Sequence, residues 1–432
     1  MTDMAAESSA MGMESRRPRV LFVGEAVTLA HVARPATLAA ALDPARYDVH
    51  FAHCPRYRHL LGDLPVREHA IESIEPARFT AALARGAPLY DAGTLRAYVE
   101  EERELLERLA PDVVVGDFRI SLATSAELAG IPCVTLGNAC WSPFTRQRYV
   151  VPDLPLTRVL GPALAQPLFA LARPLAFAAH CLPMRALRRH YGLPGPGFDL
   201  RRVYSHGDYT LYADIPGLYD TPALPPHHRF IGPIPWSPTG ELPEWWETLP
   251  GDKPLIYVTP GSSGRGDLLP RLFDSLASLD VVAMVATAGA ASPGPVPDNV
   301  RVAPFLPGDA ACRRADLVVC NGGSPTTHQA LARGRPVLGI AGNMDQFLNM
   351  QTLADAGAGL CLRADRSEAY QIGDAIGRLL ATESYRECAG ALQQRIRECD
   401  GCVNFRAFMD DAEAPWWRGA AIKPVGDTTC AR

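Results

Sequence analysis

The stretch Asp316-Leu317-Val318-Val319-Cys320-Asn321-Gly322-Gly323-Ser324-Pro325-Thr326-Thr327-His328-Gln329 decides how this chain is read. Residues 316–320 form an apolar run that reads as a strand, and residues 325–333 read as a helix. Between them, Gly322 and Gly323 let a ligand approach the backbone closely. Ser324 is suited to cap the helix and Pro325 to occupy its first position. A helix start presents unpaired N–H groups and the positive end of its dipole, so the segment is expected to seat a phosphate. A plain turn would need only one glycine. The Gly-Lys-Ser/Thr ending of a Walker loop is missing, and no Gly-x-Gly-x-x-Gly is completed here or at Gly24.

Working outward, the same alternation continues. Strands are expected at 255–259, 281–286, 337–340 and 359–362, and helices at 268–279, 346–356, 369–380 and 385–399. An independent alternation comes earlier. It has strands at 20–23, 47–52, 113–115 and 133–136, with helices at 32–42, 94–109 and 121–129. Strand–helix–strand alternation means parallel sheets covered by helices on both faces. Residues 221–254 are rich in Pro, Trp and Gly and read as a linker region. The expected fold class is therefore α/β, two doubly wound Rossmann-like domains facing each other across a cleft. The expected divisions are a disordered lead-in at 1–18, an N-terminal domain at 19–232, a linker at 233–252, a C-terminal domain at 253–400, and a tail at 401–432 that packs back on the N-terminal domain. Ligands of such sheets bind outside the carboxyl ends of the strands, which places a substrate between the two units.

Composition narrows the function. The 432 residues are 47% hydrophobic and 21% charged, which supports real cores. Net charge is −5, against a dedicated nucleic-acid binder. Eleven cysteines without framework spacing read as thiols of a reduced, cytoplasmic protein. The first eighteen residues have no apolar core of a secretory signal. Residues 160–184 are apolar but contain Gln166, Arg173, His180 and four prolines, so a bilayer-spanning helix is not expected. Gln166, Arg173 and His180 recur at seven-residue steps, which puts them on one helical face. Two readings stay open for this segment: a kinked helix that lines an acceptor cleft or touches a membrane surface, and a buried helical hairpin with one wet stripe. Trp245-Trp246 and Trp416-Trp417 are expected to pack the linker and the returning tail.

Phe305-Leu306-Pro307, Asn321 to Gln329, Gly334-x-Pro336 and Asp345-Gln346 together resemble the donor signature of inverting family 1 glycosyltransferases with the GT-B fold. That class includes bacterial natural-product glycosyltransferases and UDP-glucuronosyltransferases. In the bacterial form an aromatic lies sixteen residues before a His-Gly-Gly and an Asp-Gln twenty-four after it; Phe305, Asn321 and Asp345 keep both spacings. The resemblance is strong over the C-terminal unit and looser over the N-terminal one. It implies that Phe305 sits against the nucleotide base, and that Gly322, Gly323, Ser324 and Thr326 hold the diphosphate. It further implies that Gln329, where the family has Glu, meets the ribose, and that Asp345 and Gln346 bind sugar hydroxyls. Ser262, after Gly261, resembles a second phosphate-side turn. Asn321 stands where the family has a diphosphate-contacting His; it can donate a hydrogen bond but carries no charge.

On the N-terminal side, the resemblance makes His31 the general base that deprotonates the acceptor. Imidazole suits such work near neutral pH. Asp117, at the end of a buried strand of the same sheet, is the carboxylate to orient it; the alternatives are that Asp117 caps the following helix, or that Glu25 is the partner of His31. No Asp-x-Asp occurs, and Cys399-Asp400-Gly401-Cys402 is a single pair, so neither a metal nor a cofactor is expected. The expected function is an inverting, metal-independent transfer of a sugar from a nucleoside diphosphate sugar to a small, lipophilic acceptor. The competing readings are a UDP-sugar epimerase of the same architecture and a non-catalytic nucleotide-sugar-binding protein. Nucleic acid is not an expected partner; peripheral membrane contact is allowed by the sequence without being indicated.

Overall fold

The computed structural model describes residues 16–238, 240–261, 266–289 and 294–411. Seven strands form the first sheet: β1 (Arg19–Gly24), β2 (Asp48–His53), β3 (Arg67–Ala70), β4 (Val113–Asp117), β5 (Cys133–Gly137), β6 (Tyr209–Tyr212) and β7 (His228–Phe230). Their order is β3-β2-β1-β4-β5-β6-β7, and every pairing is parallel. The second sheet holds β8 (Leu255–Thr259), β9 (Val282–Ala286), β10 (Val300–Ala303), β11 (Leu317–Cys320), β12 (Val337–Ala341) and β13 (Gly359–Arg363). Its order is β10-β9-β8-β11-β12-β13, again all parallel. The central strands are buried along their whole length, as in β4 and β8, because helices cover both faces.

The helices of the first unit are α1 (Ala30–Ala41), α2 (Pro76–Arg85), α3 (Ala92–Leu109), α4 (Leu122–Ala129), α5 (Pro155–His190) and α6 (Leu200–Tyr204). In the second unit they are α7 (Leu269–Ala277), α8 (Gly308–Arg314), α9 (Ser324–Ala332), α10 (Met344–Asp355), α11 (Ala369–Ala381) and α12 (Glu383–Glu398). A last helix, α13 (Gly401–Met409), returns to the first sheet, where the Phe405 ring lies 5.7 Å from that of Phe22. α3 shows how the sequence makes these elements. Asp91 caps it by accepting from the Thr94 N–H at 2.7 Å, and Leu95, Tyr98, Val99, Leu105, Leu106 and Leu109 recur at helical spacing on its buried face.

Several expectations are corrected. β7 lies in the Pro-rich stretch 221–254 but before the linker placed at 233–252, and within that linker Trp246 is buried in the core of the second unit. Of the two readings left open for residues 160–184, the buried hairpin falls and the kinked helix stands: residues 155–190 form one long helix with a kink at Gly161, and most of its leucines are exposed. Of the expected lead-in only residues 16–18 are described, and these are held before β1: the Asp48 N–H donates to the Pro18 carbonyl at 2.9 Å and Arg16 pairs with Asp112 at 2.7 Å. Residues 1–15, Ser262 and Trp416-Trp417 lie outside the described residues.

Candidate active site

In both sheets the strand order reverses beside the first strand, between β1 and β4 and between β8 and β11. Loops diverge there, and a crevice opens at the carboxyl edge. Asp117 is the last residue of β4 and lies in register with Gly24, the last residue of β1. His31 stands in the first turn of α1, the helix that follows β1. A β-carbon at Gly24 would lie 2.8 Å from the His31 carbonyl oxygen, so only glycine lets α1 begin this close to the strand end.

His31 Nδ1 lies 2.8 Å from Asp117 Oδ1, and Asp117 is wholly buried. With Nδ1–H donating to the carboxylate, Nε2 is left with its lone pair. Arg34, one turn along α1, donates from Nε to Asp117 Oδ2 at 2.7 Å and from Nη2 to Oδ1 at 2.8 Å. Burial pushes the Asp117 carboxyl up, but Arg34 and then His31 outweigh it and hold the group below the ordinary carboxylate range. Phe118, at φ +57°, stacks its ring on His31 at 4.5 Å. A side chain other than glycine in the left-handed region is strained, and here the strained turn places an aromatic wall against the imidazole.

The second unit faces this group. Asn321 Oδ1 accepts from the Gly323 N–H at 3.1 Å, and Gly322 takes φ +84° with Met350 directly beneath it. Asn138, just after β5, donates from Nδ2 to Ser324 Oγ at 3.1 Å and to Asp214 Oδ1 at the same distance. Arg34 Nη1 donates to Asn138 Oδ1 at 2.8 Å, so one hydrogen-bonded chain runs from His31 through Asp117, Arg34 and Asn138 to the opening of α9. Trp141 Nε1 donates to Asp345 Oδ1 at 2.8 Å. A single cavity of about 1160 Å³ is lined by His31, Arg34, Asp117, Asn138 and Trp141 from one side and by Asn321, Gly323, Ser324, Asp345 and Gln346 from the other.

Residues 270–398 match the erythromycin biosynthesis protein CIII-like C-terminal domain family. A PGL/p-HBAD biosynthesis rhamnosyltransferase of Mycobacterium bovis is 49% identical over 384 residues, 89% of this chain and 85% of that protein. A PGL/p-HBAD biosynthesis glycosyltransferase of Mycobacterium tuberculosis is 49% identical over 400 residues, 93% of this chain and 92% of that one. The spinosyn rhamnosyltransferase, solved in complex with thymidine diphosphate, shares the fold at a TM-score of 0.62 and 21% identity, over 91% of this chain and all of that one. The chain belongs to the GT-B natural-product glycosyltransferases.

In this glycosyltransferase the sequence-selected residues divide into two groups. His31, Asp117, Asn321, Gly323, Ser324, Asp345 and Gln346 share the cavity; Gly322, Thr326, Phe305 and Gln329 do not line it. The Phe305 ring is partly exposed beside Gly289, and Gln329 Nε2 donates to the Trp236 carbonyl instead of pointing to open solvent. Gln346 Oε1 closes a capping box on α10, accepting from the Gly342 and Asn343 N–H groups at 2.9 and 3.3 Å. The helix cap is also shifted by one: Gly323 is the N-cap of α9, Ser324 and Pro325 follow it, and the Ser324 hydroxyl is engaged by Asn138 rather than by an N–H of its own helix.

Glu25 is not a partner of His31. It is buried against Arg119, which donates from Nη1 at 3.0 Å, and against the Tyr98 hydroxyl at 3.1 Å. Nor does Asp117 cap α4, whose N-cap is Ser121 without a side-chain bond. Arg34, Asn138 and Trp141 are site residues that the sequence reading passed over. The one signal for Arg34 was its spacing, one helical turn after His31 on the same face. Ten described cysteines, Cys399 and Cys402 among them, are free thiols, and the described residues hold no group of three His, Cys, Asp or Glu placed to bind a metal.

Proposed function

We propose that this glycosyltransferase moves a deoxyhexosyl group from a nucleoside diphosphate sugar to a hydroxyl of an apolar acceptor, with inversion and without a metal. One observation carries the reading: the His31–Asp117 pair and the opening of α9 line the same cavity. His31 Nε2 accepts the proton of the acceptor hydroxyl as its oxygen attacks the anomeric carbon. The bond from that carbon to the diphosphate oxygen breaks on the opposite face. The departing diphosphate is stabilised by the N–H groups and Ser324 hydroxyl at the start of α9, so positive potential is in place where negative charge develops. Asp345 is positioned to accept from sugar hydroxyls, and Asp117 with Arg34 keeps the His31 tautomer fixed.

The choice of sugar is supported by the rhamnosyl name of one mycobacterial relative, and the nucleotide by the thymidine diphosphate in the spinosyn enzyme. The apolar acceptor is supported by the cavity wall, where Phe79, Leu83, Leu168, Leu171, Leu175 and Phe177 contribute carbon surface. The test is turnover of thymidine diphosphate- and uridine diphosphate-linked sugars with apolar phenols, in the presence of a chelator. Diphosphate release that depends on the acceptor, with a glycosylated product by mass spectrometry, is the expected result. His31→Ala should lower turnover by roughly 10²- to 10⁴-fold while leaving nucleotide binding intact. Interconversion of the donor sugars without acceptor would overturn the reading in favour of epimerisation.

A further inference from the structure

Helix α5 carries an apolar stripe that extends beyond the cavity wall at both ends. Leu164, Leu168, Leu171, Leu175 and Leu182 follow one another at steps of four, three, four and seven residues, which places them on one face. All five are exposed, from 48% at Leu168 to 80% at Leu171. At 1.5 Å per residue the stripe runs for about 27 Å. A soluble monomer rarely leaves so long an apolar stripe in water. Towards the C-terminal end the opposite face is packed, with Cys181, Met184 and Leu187 in the core beneath. The helix is long and apolar enough to cross a bilayer, and its C-terminal part is anchored on the first unit through these three residues.

Charge says what covers the stripe. α5 has no Asp or Glu; of its five arginines, Arg158 pairs with Asp153 and the buried Arg188 with Glu127, while Arg185 and Arg189 lie on the face of the stripe. Beyond Leu182 the apolar face continues to Arg185 and Arg189, which line a separate cleft of about 270 Å³. Phe198, 55% exposed, lies under the Arg185 guanidinium at 3.9 Å. An apolar stripe that runs on into the Arg185 and Arg189 guanidiniums matches a membrane interface with anionic headgroups. The stripe is also continuous with the cavity, because Leu168, Leu171 and Leu175 belong to both.

We propose that α5 docks this protein on an anionic membrane surface, with the leucine stripe at the acyl boundary and Arg185 and Arg189 on lipid phosphates, so that an apolar acceptor enters the cavity from the leaflet. The entry of the acceptor rests on the glycosyl-transfer reading; the docking does not, and it is measured without turnover. The experiment is sedimentation of the full chain with phosphatidylcholine vesicles and with equimolar phosphatidylcholine–phosphatidylglycerol vesicles. The expected result is binding to the anionic vesicles, weakened by salt and reduced about tenfold or more by Leu164→Glu with Leu182→Glu, two positions outside the cavity wall. Arg185→Gln with Arg189→Gln should remove the preference for phosphatidylglycerol. Unchanged melting of the variants, and unchanged turnover of a water-soluble acceptor by the leucine variant, exclude a folding defect. Equal binding to both vesicle types, binding unaffected by the substitutions, or a wild-type dimer that the leucine variant dissociates without any vesicle binding would each overturn the proposal.

Discussion

The Arg34 guanidinium closes on the Asp117 carboxylate from two nitrogens, at 2.7 and 2.8 Å, one turn after the imidazole that the same carboxylate holds. Asp117 is fully buried, so without Arg34 its desolvation would dominate and the carboxyl would rise. In the intact protein the lowered carboxyl stays charged until the pH falls through its depressed value. Arg34→Gln reverses this, and the acid limb of the turnover profile moves to higher pH. The expected outcome is a loss relative to wild type that deepens as the pH is lowered from about 8 to 5, read by steady-state kinetics. A loss equal at every pH would show that Arg34 acts only on folding.

That relationship also marks where sequence reading stops. His31 was legible through the family resemblance, and Asp117 because the end of a buried strand of the same sheet reaches the same edge. Arg34 was not, because an arginine on a helix ordinarily reads as solvated, and only a carboxylate 83 residues away buries it. Asn138 and Trp141 sit on a single short helical turn after β5, too short to show periodicity, and each has a partner in the other unit. The same limit applies to strands. The apolar central strands were plain, whereas β3, Arg-Glu-His-Ala, has no apolar pattern and is a strand only because β2 offers it a ladder. α5 was ambiguous for another reason: four prolines and a glycine argue against a long helix, and the chain accepts them with a kink at Gly161.

Gly322 should not tolerate a side chain. Its φ of +84° costs an L-residue about 1–2 kcal/mol, and a β-carbon there would lie 2.5 Å from Met350 Cγ. Gly322→Ala is expected to destabilise the second unit by roughly 2–4 kcal/mol and lower its melting temperature by several degrees. In a double-mutant cycle with Met350→Ala the two losses should fall short of additive, since the second change removes the clash but not the backbone strain. Full additivity would mean that Met350 is not what the new carbon meets.

The Ser324 hydroxyl is held by Asn138 at 3.1 Å and opens onto the shared cavity. If it donates to a diphosphate oxygen, Ser324→Ala removes a hydrogen bond to a charged group, about 1.5–3 kcal/mol. Calorimetry with thymidine diphosphate should then show a Kd raised by about tenfold or more. Asn138→Ala should instead leave nucleotide binding nearly unchanged and lower the turnover of bound donor, because it cuts the link from Arg34 to α9. An unaltered Kd in the serine variant would remove Ser324 from the donor site.

His328 on α9 faces Asp214 of the first unit at 3.5 Å, and both are buried. Burial pushes the Asp214 carboxyl up to about 6 and, with the nearby charge of Arg34 adding to it, the His328 imidazole down to about 3. The signs oppose each other. Between about pH 4 and 6 the native state holds a proton on Asp214 that the unfolded chain releases, so this group's contribution falls as the pH rises. Over about pH 3 to 6.5 the unfolded chain protonates His328 while the native state does not, so this contribution grows as the pH rises. His328→Gln deletes the second slope and exposes the first. Thermal unfolding should show the variant gaining on the wild type steadily as the pH is lowered from about 6.5 to 4. A difference in melting temperature that stays constant across that range would mean that His328 takes up its proton in the folded protein as readily as in the unfolded chain.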